Sequence, residues 1–370
     1  MKVGVLGAAG FVGGHLLRYL RADGCDTRAI VRRRPSDADR DYRIADACDV
    51  YALREAMRGC EAVVHAALGS NDVITGSVAP VYAAAEAVGA RRLIYISSGS
   101  VHGQSPVPGT DETTPLSARQ AFSYNNAKVI AERRLARLRA RGTVELVILR
   151  PTIVIGPGSR WLFDFADRLQ DRTACVVDGA AGILNSIYVD NLAYAVTLAL
   201  TATRVDGEAF LLGDREAVRW SDLFRPIADA FGVRFDDVPS VSPPEVRATF
   251  RQRYVEPLRT SEAAQRAMRM MPRALKDDVK HALRGAVRLV RRGADRANVI
   301  DAAVAAGAAP PSTPAGVTPE IAALQRCRWR LPHDKAVRML GYAPPVSFAD
   351  GCRRGIAWLQ ERDRLSSRAS

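Results

Sequence analysis

The chain has 370 residues, 48% of them hydrophobic, and a formal net charge of +13. That size suits a large α/β domain with a smaller substrate-binding part, and no apolar run approaches the roughly 18 residues that span a bilayer. The charge is C-terminal: residues 241–300 hold 14 Lys/Arg against 6 Asp/Glu and residues 301–370 hold 10 against 6, leaving about +1 for residues 1–240. With no helix-turn-helix, zinc-finger or aromatic RNA-binding pattern beside it, this basic face is read as solvated, and nucleic acid is not an expected partner.

In chain order, residues 3–6 predict a strand and 11–20 a helix. Residues 27–31 predict a strand, 52–57 a helix, 62–66 a short buried strand and 78–88 a helix. Strand 93–96, helix 124–139 and strand 144–149 follow, then helix 191–200, strand 209–212, helix 220–231 and a last helix over 350–362. Short, continuously apolar strands alternating with helices mean a parallel sheet covered on both faces. The expected fold is α/β: a Rossmann doubly wound parallel sheet, a smaller C-terminal α/β substrate domain and a basic helical insertion. Residues 1–155, with parts of 185–215, are assigned to the sheet domain. Residues 156–184 and 216–370 are assigned to the substrate-binding part. Within 241–300, Leu275, Val279, Leu283, Ala286 and Val290 recur at helical spacing between basic residues. That pattern is read as a lid, with contact to anionic membrane lipid or a phosphate-bearing substrate as the alternative. Residues 305–319, rich in Ala and Pro, read as a linker. Strand 3–6 has no basic leader before it, and the six cysteines form no C-x-x-C pair. The expectation is therefore a cytoplasmic protein, with a peripheral place at the inner membrane face as the alternative, and no metal site or disulfide framework.

Gly7-Ala8-Ala9-Gly10-Phe11-Val12-Gly13 follows the first strand and opens a helix. A chain that turns sharply there, with its amides close to a pyrophosphate, has no room for a Cβ. The helix N-terminus supplies free N–H groups and the positive end of a dipole. Gly7, Gly10, Phe11, Val12 and Gly13 are therefore candidate dinucleotide-binding residues. After the second strand an NAD-specific site places an acidic residue for the ribose 2′-hydroxyl. Here stand Arg32, Arg33 and Arg34, and a guanidinium suits a 2′-phosphate. The expected cofactor is NADP or NAD, with NADP favoured through Arg32. Asp46 is a candidate for the adenine edge or a simple turn.

Tyr124 and Lys128 lie four apart at a helix start, which puts both on one face. Hydride transfer at a carbinol carbon also requires a proton to move at its oxygen. A phenol with pKa near 10 is poor at this until a nearby ammonium lowers it. Lys128 can do so and hold the nicotinamide ribose. Ser98, after the buried strand 93–96, can hydrogen-bond the substrate oxygen.

With GAAGFVG (7–13), VVHAAL (63–68), YISSGSVHG (95–103), YNNAK (124–128), LRPTIVIGPG (149–158), IYVDNLAYA (187–195) and LGYAPPVSFADG (340–351), the chain resembles the extended short-chain dehydrogenase/reductase family, the NAD-dependent epimerase/dehydratase group. The resemblance implies that Ser98, three residues before Val101, is the active hydroxyl. It implies that Ala66 and Ala67 line the cofactor, and that Arg150 and Pro151 begin the turn towards the nicotinamide. The chain departs from the family pattern at His102, Val73 and Asn185, positions where substrate would be chosen. Val189-Asp190-Asn191, like Arg32, is closer to the hydroxysteroid-dehydrogenase-like and flavonoid-reductase-like branches. The leading expectation is an epimerase, dehydratase or reductase acting on a nucleotide-linked sugar. The alternatives are an NADP-dependent reductase or dehydrogenase of an apolar ketone or sterol-like alcohol, and a non-catalytic NAD(P)-binding regulatory module. A small-molecule substrate is the expected partner, and a homodimer is left open.

Overall fold

The computed structural model describes residues 1–33, 42–243 and 317–369. Seven strands form one sheet: β1 (Lys2–Leu6), β2 (Asp26–Val31), β3 (Tyr42–Ile44), β4 (Ala62–His65), β5 (Arg92–Ile96), β6 (Glu145–Pro151) and, later in the chain, β11 (Ala209–Leu212). Their order is β11-β6-β5-β4-β1-β2-β3, and every pairing is parallel. Parallel neighbours need crossovers, and these are helical: α1 (Phe11–Ala22), α2 (Val50–Met57), α3 (Asn71–Ala87), α4 (Ser123–Arg139) and α6 (Val189–Thr201).

The helices cover both faces because strand side chains alternate. On β5, Ile94 and Ile96 join a core with Leu16 and Leu20 of α1 and Leu192 and Val196 of α6. Leu93 and Tyr95 point the other way, among Leu53 of α2, Val78 and Val81 of α3 and Leu135 of α4. Both faces being buried explains why these strands read as unbroken apolar runs.

A second core lies beside the sheet. It joins α5 (Arg160–Gln170), α7 (Trp220–Ala230) and the C-terminal helix α10 (Phe348–Ala369). Phe165 stacks on Phe224 with ring centroids 4.1 Å apart. Short strands frame it: β7 (Ile153–Ile155) pairs with β10 (Ser186–Tyr188), β8 (Val176–Val177) with β13 (Ser240–Val241), and β9 (Ile183–Leu184) with β12 (Val218–Arg219).

Several boundaries differ from the sequence reading. Helix α3 starts at Asn71 and passes through Pro80, although Thr75, Gly76 and Ser77 are weak helix formers. Burial of Ile74, Ser77 and Val78 overrides their propensity. Helix α5 is absent from the sequence reading, yet its inward residues Leu162, Phe165, Ala166 and Leu169 keep helical spacing. Thr318, whose hydroxyl caps Ile321 N–H at 3.2 Å, starts helix α8 (Pro319–Gln325), so Thr318 and Pro319 are not linker. Helix α9 (Asp334–Leu340) sends Ala336 and Leu340 into the core of the large sheet, not into the second core. The expected amphipathic helix within 241–300 and the rest of the 305–319 linker lie outside the described residues.

Candidate active site

The sheet order reverses at β1, between β2 and β4, and in such sheets ligands bind beyond the strand ends at that switch point. Gly7 leaves β1 there with φ +86°, its N–H donating to Ile30 O at 3.0 Å. A Cβ on Gly7 would lie 2.6 Å from Ala67 Cα, and one on Gly13 only 2.1 Å from Gly7 O. The turn thus crosses directly over the residues that follow β4, and only glycine permits the approach. Gly10 is the exposed N-cap of α1. The next amides, of Phe11, Val12 and Gly13, head the helix and lack intrahelical acceptors. Phe11 packs edge-on against His15, whose Nε2 lies 2.9 Å from Pro157 O. Ala66 and Ala67 are half-buried opposite the turn. A cleft of about 600 Å³ lined by Ala9, Gly10, Phe11 and Trp358 adjoins it. This cradle, which a Cβ would fill, fits a dinucleotide pyrophosphate.

Arg32 stands exposed just past β2, on the same end of the sheet. Asp46 is exposed and accepts Cys48 N–H at 2.8 Å, shaping the turn into α2.

Tyr124, Lys128 and Ser98 come together. Helix α4 presents Tyr124 and Lys128 one turn apart, and Ser98 follows the end of β5. Ser98 stands close enough to the Tyr124 phenol to favour its ionised form. Ser98 Oγ also lies 2.9 Å from Ser100 Oγ, and Ser100 N–H donates to it at 3.2 Å. Lys128 Nζ lies 6.0 Å from the Tyr124 ring centroid and donates to Ile96 O at 2.8 Å. Burial raises the Tyr124 phenol, while Ser98 works against that rise. Burial pushes Lys128 down to about 8, and the charge of Glu132 opposes that fall. Lys128 therefore remains largely an ammonium at neutral pH.

Glu132 escaped the sequence reading, although Tyr124, Lys128 and Glu132 recur every four residues along one helix face. It accepts Ser97 Oγ at 2.5 Å and binds Arg150 through two bonds, from Nε at 3.1 Å and from Nη2 at 2.7 Å. Arg150, expected to begin the turn towards the nicotinamide, has its side chain engaged inside the protein. Its guanidinium, 6% exposed, is held by Glu132 and ties β6 to α4. Pro151 is buried at the end of β6, paired with Leu212.

Arg150 Nη1 donates to His102 Nε2 at 3.3 Å. Burial, with Arg150 beside it, lowers His102 to about 4, so the ring is neutral at pH 7. His102 is partly packed, and it also lines a cavity of about 360 Å³ with Phe122 and Asn125. Asn185 Nδ2 donates to Trp329 O at 3.0 Å and its Oδ1 accepts Leu331 N–H at 2.8 Å, so it pins the segment leading to α9. Val73 is half-buried in the first turn of α3. Among the described residues, no helix is long and apolar enough to cross a membrane.

The NAD dependent epimerase/dehydratase family matches residues 3–213. The chain is 27% identical over 272 residues to a 3 beta-hydroxysteroid dehydrogenase/Delta 5-->4-isomerase of Mycobacterium tuberculosis, covering 66% of this chain and 73% of that one. Its fold is similar to that of gox2253, with TM-score 0.68 and 24% identity over 98% of this chain and 99% of that one. It is also similar to DesIV, a dTDP-glucose 4,6-dehydratase from Streptomyces venezuelae solved with NAD and TYD bound. There the TM-score is 0.66, with 20% identity over 98% and 97% of the two chains. The glycine cradle at the switch point, the Ser98–Tyr124–Lys128 cluster and the family match agree: the chain belongs to the NAD dependent epimerase/dehydratase family and is an NAD(P)-dependent enzyme of the extended short-chain dehydrogenase/reductase type.

Proposed function

We propose that the protein moves a hydride at a carbinol or ketone carbon of a nucleotide-linked sugar, as an epimerase or dehydratase. The grouping of Ser98, just past β5, with Tyr124 and Lys128 one turn apart on α4, Lys128 Nζ 6.0 Å from the Tyr124 ring centroid, carries this reading. The Tyr124 hydroxyl gives a proton to, or takes one from, the substrate oxygen. Ser98 donates to that same oxygen and orients it. Lys128 stabilises the phenolate form of Tyr124 and reaches towards the ribose. Gly7, Gly10, Phe11, Val12 and Gly13 would hold the pyrophosphate, with Ala66 and Ala67 beside it. Bound there, the nicotinamide supplies the hydride acceptor or donor.

The likeness to the dTDP-glucose 4,6-dehydratase supports the sugar reading. A second reading, reduction or oxidation of an apolar ketone or sterol-like alcohol, is supported by the similarity to the hydroxysteroid dehydrogenase. It is further supported by Asn185, whose amide is engaged by Trp329 and Leu331 and so is not directed at a nucleotide. For the cofactor we favour NADP(H), because Arg32, exposed just past β2, carries a guanidinium that suits a 2′-phosphate. The NAD in the dehydratase structure supports the opposite choice.

Mass spectrometry of ligand co-purified with the protein tests these readings. An epimerase retains cofactor and shows no net redox turnover, whereas a reductase consumes added NADPH with a suitable ketone. Turnover of sterol-like ketones with none of nucleotide sugars would overturn the leading assignment.

A further inference from the structure

The end of β5 is joined to α4 rung by rung. The Ile96 carbonyl accepts from Lys128 at 2.8 Å, Ser97 Oγ donates to Glu132 at 2.5 Å, and Ser98 stands beside the Tyr124 phenol. Three consecutive residues of one segment thus meet three side chains spaced four apart along one helix face. Tyr124 and Lys128 have roles in the proposed chemistry, and Glu132 completes the column. Its side chain is 4% exposed, and a buried carboxylate without a function is an expensive thing to retain.

The groups facing Lys128 leave Glu132 as its counter-charge. Tyr95 of β5 sets its ring 4.8 Å from Nζ, but burial raises its phenol well above the usual range, so it is neutral. His65 of β4, buried against Ser77, is lowered to about 3 and is also neutral. Tyr124, on the same helix, is protonated at rest. From β6 comes Arg150, a cation held on Glu132, with neutral His102 beyond it. Among these groups only Glu132 carries negative charge.

We propose that Glu132 is a positioning residue of the site: it holds the end of β5 against α4 and supplies the negative charge that keeps Lys128 an ammonium beside Tyr124. This rests on the roles proposed for Tyr124 and Lys128. A purely structural Glu132 would matter only for packing and would leave the ionisation of Lys128 alone.

The chain has only five lysines, Lys2, Lys128, Lys276, Lys280 and Lys335, so Lys128 can be followed directly. The full chain is labelled with ¹³C-lysine and the Cε resonances are titrated with pH. The Lys128 signal is assigned by its loss in Lys128→Met. In Glu132→Gln the Lys128 midpoint should fall by roughly one unit or more while the other four stay put. Glu132→Asp, which keeps the charge, should recover most of the shift. Because Glu132→Gln leaves the buried Arg150 without its counter-charge, it can unfold the chain. Glu132→Gln/Arg150→Met removes both charges at similar volume, and it should restore the melting temperature yet keep the lowered midpoint. A wild-type midpoint in that double variant would overturn the proposal. The titration requires no substrate, so its failure leaves the hydride chemistry standing. Full turnover in Tyr124→Phe would instead remove the chemistry without touching this result.

Discussion

Lys128 Nζ donates to the Ile96 carbonyl at 2.8 Å, which fixes the ammonium one helical turn from Tyr124 and next to the strand end that carries Ser98. The geometry depends on a strand and a helix separated by 26 residues of intervening chain, from Ser97 to Phe122. Its consequences are open to measurement.

Tyr124→Phe removes the proton donor and leaves the ring in place. Turnover should fall by about 10²- to 10⁴-fold. Cofactor affinity should change little, because Lys128 keeps its bond to Ile96. Steady-state assays and cofactor titration of the variant check both parts.

Gly13→Ala would put a methyl 2.1 Å from Gly7 O and 2.7 Å from Gly7 C. Both contacts are backbone, so the turn itself must move. We expect a loss of about 1–3 kcal/mol in stability and a large loss of cofactor binding. Thermal melts with and without NADPH provide the measurement, and the stabilisation by cofactor should vanish in the variant.

Arg32→Ala should weaken NADPH by about tenfold or more and leave NADH nearly unchanged, since only the former carries the 2′-phosphate. Equal losses for both cofactors would place Arg32 elsewhere in binding. Fluorescence titration with each cofactor distinguishes the outcomes.

Lys128 titrates near 8 in the fold against 10.5 when unperturbed. Below pH 8 it is charged in both states, and its buried charge opposes folding. Between about 8 and 10.5 the unfolded chain binds more protons, so this residue's contribution to stability rises with pH there. Lys128→Met should therefore be inactive yet more stable at pH 7, by an amount on the order of a few kcal/mol. The gap in melting temperature should close as pH rises towards 10. His65 behaves alike in acid: held neutral down to about 3, it loses its contribution as pH falls from about 6.5 towards that value. His65→Leu should flatten the acid limb of the stability profile.

Much of this was legible in the chain. Strand 209–212 was read at its observed bounds, and strands 93–96 and 62–66 to within a residue, since apolar runs bounded by turns leave little latitude. Tyr124, Lys128 and Ser98 were found through spacing and order. The ion pair of Arg150 with Glu132 was not legible, because the two lie 18 residues apart on different elements and no local pattern announces an ion pair. Asn185, thought to face substrate, is engaged by residues more than 140 positions downstream. The small strands of the second core are two or three residues long, too short for periodicity to register.

The sequence by itself determined the doubly wound sheet, the glycine turn and the placing of Tyr124 and Lys128 on one helix face. Those are written in local terms: apolar period, a Cβ-free turn, and residues four apart on a helix. Only the tertiary structure decided which charges face each other. It set Arg150 on Glu132, and it set Ile96, Ser97 and Ser98 against Lys128, Glu132 and Tyr124. Long-range pairing is governed by strand order and burial, and these place residues far apart in the chain within a few ångströms at one end of the sheet.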